Sequence, residues 1–357
     1  MRTESSRRDL AARWSTWLFL SAAVLAVTLL GDLASPALQR TLTEALVKLV
    51  VVVGLWVFVG NSGVVSFGHV GFMAIAGYVS AILSMPPVKK AALLDLPPAL
   101  ESLQMPVPLS VLVGTAAAGL VAWAIGLPLM RLKGVVASMA TFAVLAIIHV
   151  VALNWQAVTG GRQALVGVVR VTDIWVAAGG AVLALLAASL YGQSRHGLLL
   201  RCSRENEVAA AASAIDVASE RLIAFVLSAA IVGFGGALYV HFLGTVTAST
   251  FYLDLTFVTL AMLVVGGMRS LSGAVVGVGL VSTANEVLRS IEKGVDVFGV
   301  AVSAPPGLQE IGLALLLLAV LISRPQGLLG DYEVGWRPGR STANAATSLN
   351  QPATSSR

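Results

Sequence analysis

The sequence predicts an all-α fold: a polytopic membrane helix bundle of about 8–10 transmembrane helices, with glycine-interrupted or re-entrant segments and a pseudo-repeat. Three observations carry this expectation. Of 357 residues, 57% are hydrophobic and only 11% charged, against roughly a quarter charged in ordinary globular proteins, and the mean hydropathy is +0.87. Residues 14–31, 49–88, 102–130, 134–161, 174–194 and 222–253 contain no Asp, Glu, Lys or Arg. Glycine is abundant at 35 residues while aromatics make up 6%, so small residues must let helices approach where bulky side chains do not fill the space.

A backbone in lipid must satisfy its own hydrogen bonds, and crossing about 30 Å of hydrocarbon takes roughly 20 apolar residues of helix. Ten hydrophobic segments answer to this, near 17–34, 42–59, 64–84, 107–130, 134–154, 173–191, 222–243, 254–267, 272–288 and 308–323. The apolar run 49–88 is too long for one helix and breaks at Gly60-Asn61-Ser62-Gly63, where glycine permits positive φ. Segments 254–267 and 272–288 are short and separated by Gly266-Gly267-Met268-Arg269-Ser270. For either of them a half-helix and a re-entrant hairpin are both open.

Short cytoplasmic loops retain Lys and Arg. With the N-terminus inside, fourteen such residues fall on the cytoplasmic side and seven outside: Arg40, Lys89, Lys90, Arg162, Arg170, Arg289 and Lys293. The expectation is therefore a multi-pass chain with both termini cytoplasmic. The sequence pI of about 9.7 reflects these scattered charges and does not point to nucleic acid; the partner implied is membrane lipid. Residues 1–16 form an N-terminal cytoplasmic segment, 17–330 the transmembrane domain, and 331–357 a disordered cytoplasmic tail, small and polar with nothing to bury. The first apolar segment is long and lacks a clear small-x-small site, so it is read as a span and not as a cleaved leader.

Much chemistry is excluded. The lone Cys202 rules out an internal disulfide, a Cys-based zinc site and an iron–sulfur cluster. No Lys precedes Ser or Thr, so there is no Walker A loop and the chain does not itself hydrolyse ATP. None of His69, His149, His196 and His241 precedes Glu, and no Gly-x-Ser-x-Gly elbow occurs. No catalytic residue, metal ligand or cofactor is expected. The ionisable residues within spans are Glu44, Lys48, His69, His149 and Glu286. Glu44 and Lys48, at i and i+4 near the outer end of their helix, neutralise one another, with a substrate or gating role as the alternative. His69 reads as a satisfied neutral imidazole, and His149 and Glu286 as interfacial.

The most informative stretch is the polar loop 192–220, placed in the cytoplasm by the charge count. Ser203 is a candidate cap for a helix over 203–216 whose first turn holds Glu205 and Glu207 and whose Ala run propagates it. Val208, Ala212 and Ile215 then fall on one face, a shallow apolar stripe suited to a groove on another protein. An ordinary surface helix joining two spans is the plain alternative.

Six stretches decide between them. Arg204-Glu205-Asn206-Glu207-Val208-Ala209-Ala210 followed by Ala214-Ile215-Asp216 resembles the cytoplasmic coupling segment of branched-chain amino acid ABC-transporter permeases, M-type subunit. Gly63-Val-Val-Ser-Phe-Gly-His-Val-Gly-Phe72 is similar to that family's first glycine signature, and Asn154-Trp155 with Thr159-Gly160-Gly161 to its external element. Residues 224–239 resemble the span after the coupling helix, residues 265–274 the second glycine signature, and Arg324-Pro325-Gln326-Gly327-Leu328-Leu329-Gly330 the closing motif. The order is the family's throughout, over roughly 45–330. One departure stands out: where the family more often has Gly-Leu-Gly-Ser, this chain has Gly267-Met268-Arg269-Ser270. The added charge at a cytoplasmic turn is expected to reinforce orientation. A faint internal repeat accompanies the motifs, Gly63-x2-Ser66 with Gly68 and Gly71 matching Gly267-x2-Ser270 with Gly273 and Gly277.

The resemblance implies a permease subunit of an ATP-driven importer in a bacterial inner membrane, moving branched-chain or other hydrophobic amino acids. It implies four kinds of companion: a second homologous permease subunit, two cytoplasmic ABC ATPase subunits, a periplasmic solute-binding protein and the surrounding lipid. Arg201, Arg204, Glu205, Asn206, Glu207, Val208, Ala212, Ile215 and Asp216 are implied to couple to the ATPases. Gly63, Ser66, Gly68, His69, Gly71, Gly266, Gly267, Ser270 and Gly273 are implied to line or flank the route. Import of urea or a short amide is the nearest alternative. A gradient-driven secondary transporter or a membrane enzyme is disfavoured by the scarcity of intramembrane carboxylates and of catalytic constellations.

Overall fold

A computed structural model describes residues 2–293, 295–297, 300–302 and 307–334. Ten helices correspond to the ten expected segments: α1 (Arg2–Asp32), α2 (Pro36–Ser62), α3 (His69–Ser84), α6 (Val107–Leu129), α7 (Gly134–Asn154), α9 (Ile174–Gln193), α12 (Val217–Leu243), α13 (Leu253–Gly266), α14 (Leu271–Lys293) and α15 (Leu308–Ser323). Short helices fill the connections: α4 (Pro87–Leu93), α5 (Pro98–Glu101), α8 (Gln156–Thr159), α10 (Arg195–Glu205) and α11 (Glu207–Ala212). Among the described residues, strands are confined to two small antiparallel pairs. One joins β1 (Leu165–Val166) to β2 (Thr245–Val246), the other β3 (Val295–Val297) to β4 (Val300–Val302). Eight of the helical stretches are long and apolar enough to cross a membrane, while α3 and α15 have 16 residues each. The chain is thus an all-α, multi-pass membrane bundle. Helix α1 runs unbroken from Arg2 through the expected N-terminal segment into the apolar stretch Trp14–Asp32.

The helices alternate in direction. At one end α2 stops at Gly63, whose φ of 72° closes the helix with a bond from its N–H to the Val59 carbonyl. The same end holds the loop 192–220, the Gly267–Ser270 turn and the closing motif: Arg204 reaches the Gly60 carbonyl, and Leu328 and Leu329 donate to the carbonyls of Val265 and Gly266. At the opposite end β1 pairs with β2, and His241 bonds the Val169 carbonyl through Nδ1 and Ser80 through Nε2. Lys90 is fully buried there, its ammonium donating to the carbonyls of Leu100 and Leu103; burial lowers its pKa.

Helix α2 is the centre of the bundle, packed by α12, α9 and α14, with α3 and α6 closing on α12. Val50 to Val53, Val57 and Phe58 on α2 are essentially inaccessible. The outer helices are apolar outward as well: Leu112, Leu120 and Trp123 on α6 and Met139 and Ile147 on α7 are exposed. That is what a bundle facing hydrocarbon on its rim requires. Helices α13 and α14 meet backbone to backbone, for a Cβ at Gly266 would collide with the Gly273 carbonyl. Of the two short segments, α14 is a full-length helix. The 14-residue α13 is lengthened by a 3-10 turn, Ala248–Phe251, into a continuous apolar stretch Ala248–Gly266.

Candidate functional site at the polar end of the bundle

The loop 192–220 folds as a helix, a break and a short helix, which corrects the expected single helix over 203–216. Helix α10 starts earlier, where the Ser194 hydroxyl accepts from the Gly197 N–H. Ser203 lies inside it, buried, bonding back to the Leu200 carbonyl, and is not a cap. The cap is Asn206, whose extended backbone ends α10 and whose Oδ1 accepts from the Ala209 N–H at 3.0 Å to start α11. Asn206, ahead of Glu and an Ala run, is as good an N-terminal signal as Ser203, and only the fold separates the two. Helix α11 is only six residues long, and Ala214 then takes φ 60°. Val208, Ala212 and Ile215 therefore do not form one continuous stripe. Val208, 80% exposed, instead lines a groove of about 620 Å³ with Ala211, Ile215, Met130 and Val217.

Charge ties this segment to the bundle. Glu207 bridges Lys133 after α6 at 3.1 Å and Arg221 in α12 at 3.0 Å, and the Arg221 side chain is only 8% exposed. Partial burial pushes the Glu207 carboxyl up, but Lys133 and Arg221 outweigh it and hold it below the usual carboxylate range. Asp216 caps α12; the Ser219 hydroxyl and N–H keep its carboxyl low. Arg201 donates to the carbonyls of Gly192 and Gly197, its pKa lowered by burial and then by the neighbouring Arg204. Arg204 crosses to α2: its Nη1 donates to the Gly60 carbonyl at 2.6 Å and its stem covers Gly63, while Glu205 accepts from Nε and Nη2.

The two glycine signatures adjoin at this end. A side chain at Gly60 would start 2.6 Å from the Met268 carbonyl oxygen. Each break follows a helix running toward this end and precedes one running back. The serines also act alike: Ser66 Oγ lies 2.8 Å from His69 Nδ1, and Ser270 Oγ accepts from the Gly273 N–H at 2.7 Å, both at i, i+3. His69 is 1% exposed among the rings of Phe58, Phe72 and Phe225, with Nε2 unpartnered among the described residues. Gly68 and Gly71 pack α3 against Thr141 and Ile148 of α7, and Gly267 packs against Gln326 and Gly330.

Sequence reasoning missed Glu333. Its carboxylate accepts from the N–H groups of Leu271 and Ser272 and from the Ser272 hydroxyl, capping α14. The expected tail 331–357 thus begins with residues held on the bundle; 335–357 lie outside the described residues. Arg269 stands 3.6 Å from Asp331 and 4.0 Å from Glu205, so its charge lies between the loop 192–220 and the residue that follows the closing motif. No sequence signal announced these pairs, because their partners lie far apart along the chain. Among the described residues no cluster of His, Cys, Asp or Glu suits a metal ion.

Comparison with known proteins agrees with this geometry. Residues 37–321 match the family described as branched-chain amino acid transport system / permease component. The chain is 25% identical to the high-affinity branched-chain amino acid transport system permease protein LivM of Salmonella typhimurium over 350 residues, covering 87% of this chain and 74% of the relative. The Escherichia coli LivM protein gives the same identity and coverage. A probable branched-chain amino acid transport permease protein LivH of Methanocaldococcus jannaschii is 28% identical over 165 residues, 44% of this chain and 47% of the relative. No solved structure gives a significant match. With four-fifths of its length inside the family's bounds, the chain belongs to the branched-chain amino acid transport permease family and is LivM-like.

Proposed function

We propose that the chain is the membrane subunit of an ATP-driven importer for branched-chain or other hydrophobic amino acids, in a bacterial inner membrane, with both termini cytoplasmic. A second permease subunit completes the pathway, two ABC ATPases drive it, and a periplasmic binding protein delivers the solute. The observation that carries the reading is the anchorage of 192–220: Arg204 bonds α2 and Glu207 bonds α12, while Val208 stays exposed beside an open groove. A segment fixed to two central helices and bare on its outer face suits a lever. Closure of the ATPase dimer would displace α10 and α11, and Arg204 would pass the motion to the Gly60–Gly63 break. Gly63, Ser66, Gly68, His69, Gly71, Gly266, Gly267, Ser270 and Gly273 would then move as the flanks of the route.

The reading is tested by Val208→Arg, which puts a charge on the exposed face and disturbs no internal contact. Membrane insertion should be normal while the ATPases no longer co-purify and uptake is lost; retained co-purification and uptake would refute the coupling role. Sidedness is tested by a cysteine at the exposed Ala91 in a Cys202→Ser background, which should label only from the periplasmic side.

A further inference from the structure

At the end away from the coupling loop, two adjoining spaces open beside α2. The first is a polar cleft of about 410 Å³ between α2, α13 and α14, lined by Glu44, Lys48, Asp254, Asn285, Glu286 and Arg289 among others. The second is an apolar crevice of about 390 Å³ between α1, α2 and α14, walled by Val24, Leu42, Leu46, Val275 and Val278. Thr41, Ala45, Ser282 and Glu286 line both, so the two spaces lie side by side along α2 and α14. Each falls within the size of ordinary ligand pockets, about 300–1,000 Å³.

The charges in the cleft are nearly balanced. Lys48, about midway along α2, pairs with Glu44 at 2.7 Å, and Arg289 stands 4.0 Å from Glu286. The expected neutralising pair is present, and it faces a cavity.

We infer that this composite space is a transit site for the hydrophobic amino acid itself, zwitterion in the cleft and side chain in the crevice. An ammonium group donates to Glu286, and a carboxylate accepts from Lys48 and Arg289, charged groups that line the cleft. With three carboxylates against two cations in the lining, an anion meets net repulsion and a cation only a small net attraction, and an uncharged amide would leave the crevice empty. The inference rests on the import reading above and specifies where the solute pauses.

Gly279 supplies the test. It lies on the crevice wall, and a Cβ added there meets no atom within 4 Å, so a side chain can start from this position without a clash. Uptake of labelled leucine and valine is measured with the complete reconstituted complex carrying Gly279→Ala or Gly279→Leu. The leucine-to-valine ratio should fall in that order, by about fivefold or more for Gly279→Leu. Independently, a cysteine at position 279 in a Cys202→Ser background should be shielded from a membrane-permeant maleimide by leucine and not by urea. An unchanged ratio together with no leucine protection overturns the inference. So does a co-purifying phospholipid displaced by Gly279→Leu with the ratio unaltered, which would make the space a lipid site. A wild-type complex that moves no hydrophobic amino acid would instead remove the import reading.

Discussion

Removing Glu207 isolates one buried charge, and the expected loss can be worked from the geometry. Arg221 is 8% exposed on its side chain, its Nη2 is 3.0 Å from Glu207, and its Nε has no other partner among the described residues. Two unit charges at about 4 Å attract by about 4 kcal/mol at an effective dielectric near 20, and stranding one partner of a buried pair costs about 3–5 kcal/mol. Glu207 is 28% exposed, so water takes part of this and about 2 kcal/mol is the expected loss for Glu207→Ala. The other bridge is a control: Lys133 is 74% exposed, and Lys133→Ala should cost under about 1 kcal/mol. Thermal unfolding of the purified chain in detergent, followed by tryptophan fluorescence, compares the two. The pH dependence adds a sign. The carboxyl is held below its ordinary value of 4.5, so its stabilisation is complete above that pH and is lost as pH falls through the lowered value. The gap between wild type and Glu207→Gln should therefore be flat from pH 5 to 8 and close in acid. Equal effects of Glu207→Ala and Lys133→Ala would refute the argument.

Three further outcomes follow from single contacts. Gly266→Ala should block assembly of the α13–α14 pair, because the added carbon meets the Gly273 carbonyl and not a movable side chain; protease-resistant yield in membranes reads this. Lys90→Met should leave two loop carbonyls without their donor, costing about 1–3 kcal/mol, and limited proteolysis should then cut between residues 94 and 106 faster than in wild type. Truncation after Val334 should leave melting unchanged, whereas Glu333→Ala should destabilise by about 1 kcal/mol through loss of the α14 cap.

The spans were legible because lipid narrows the choice: a charge-free apolar run must be a helix, and its ends fall where Pro36, Gly63 or Gly244 permit. The loop 192–220 was legible as polar and helix-forming but not in register. Ser203 and Asn206 both fit a cap locally, and the choice was settled by Arg204 reaching Gly60 and Glu207 reaching Arg221, contacts between residues far apart in sequence. The same distance hid the polar cleft. Glu286 reads as an interfacial charge on its own helix, and only the packing of α14 on α2 brings it to a cavity shared with Lys48. Lys90 read as a topology marker, yet folding commits its ammonium to the carbonyls of its own loop.

The proposed lever gains its reach from the way both breaks converge on one acidic residue. Glu205 accepts from Arg204, which holds the Gly60 carbonyl, and stands near Arg269, which faces Asp331 of the closing segment. The exposed pairs each contribute under about 1 kcal/mol, too little to fix the bundle in one state and enough to bias a choice between two. Beneath them the contacts are of another kind: Gly60 against Met268, and Gly266 against Gly273, admit no added atom. Close-packed interfaces of this sort move between discrete arrangements and do not stretch. A small displacement of α10 would therefore be carried by α2 and the α13–α14 pair as whole helices, toward the cleft at the far end.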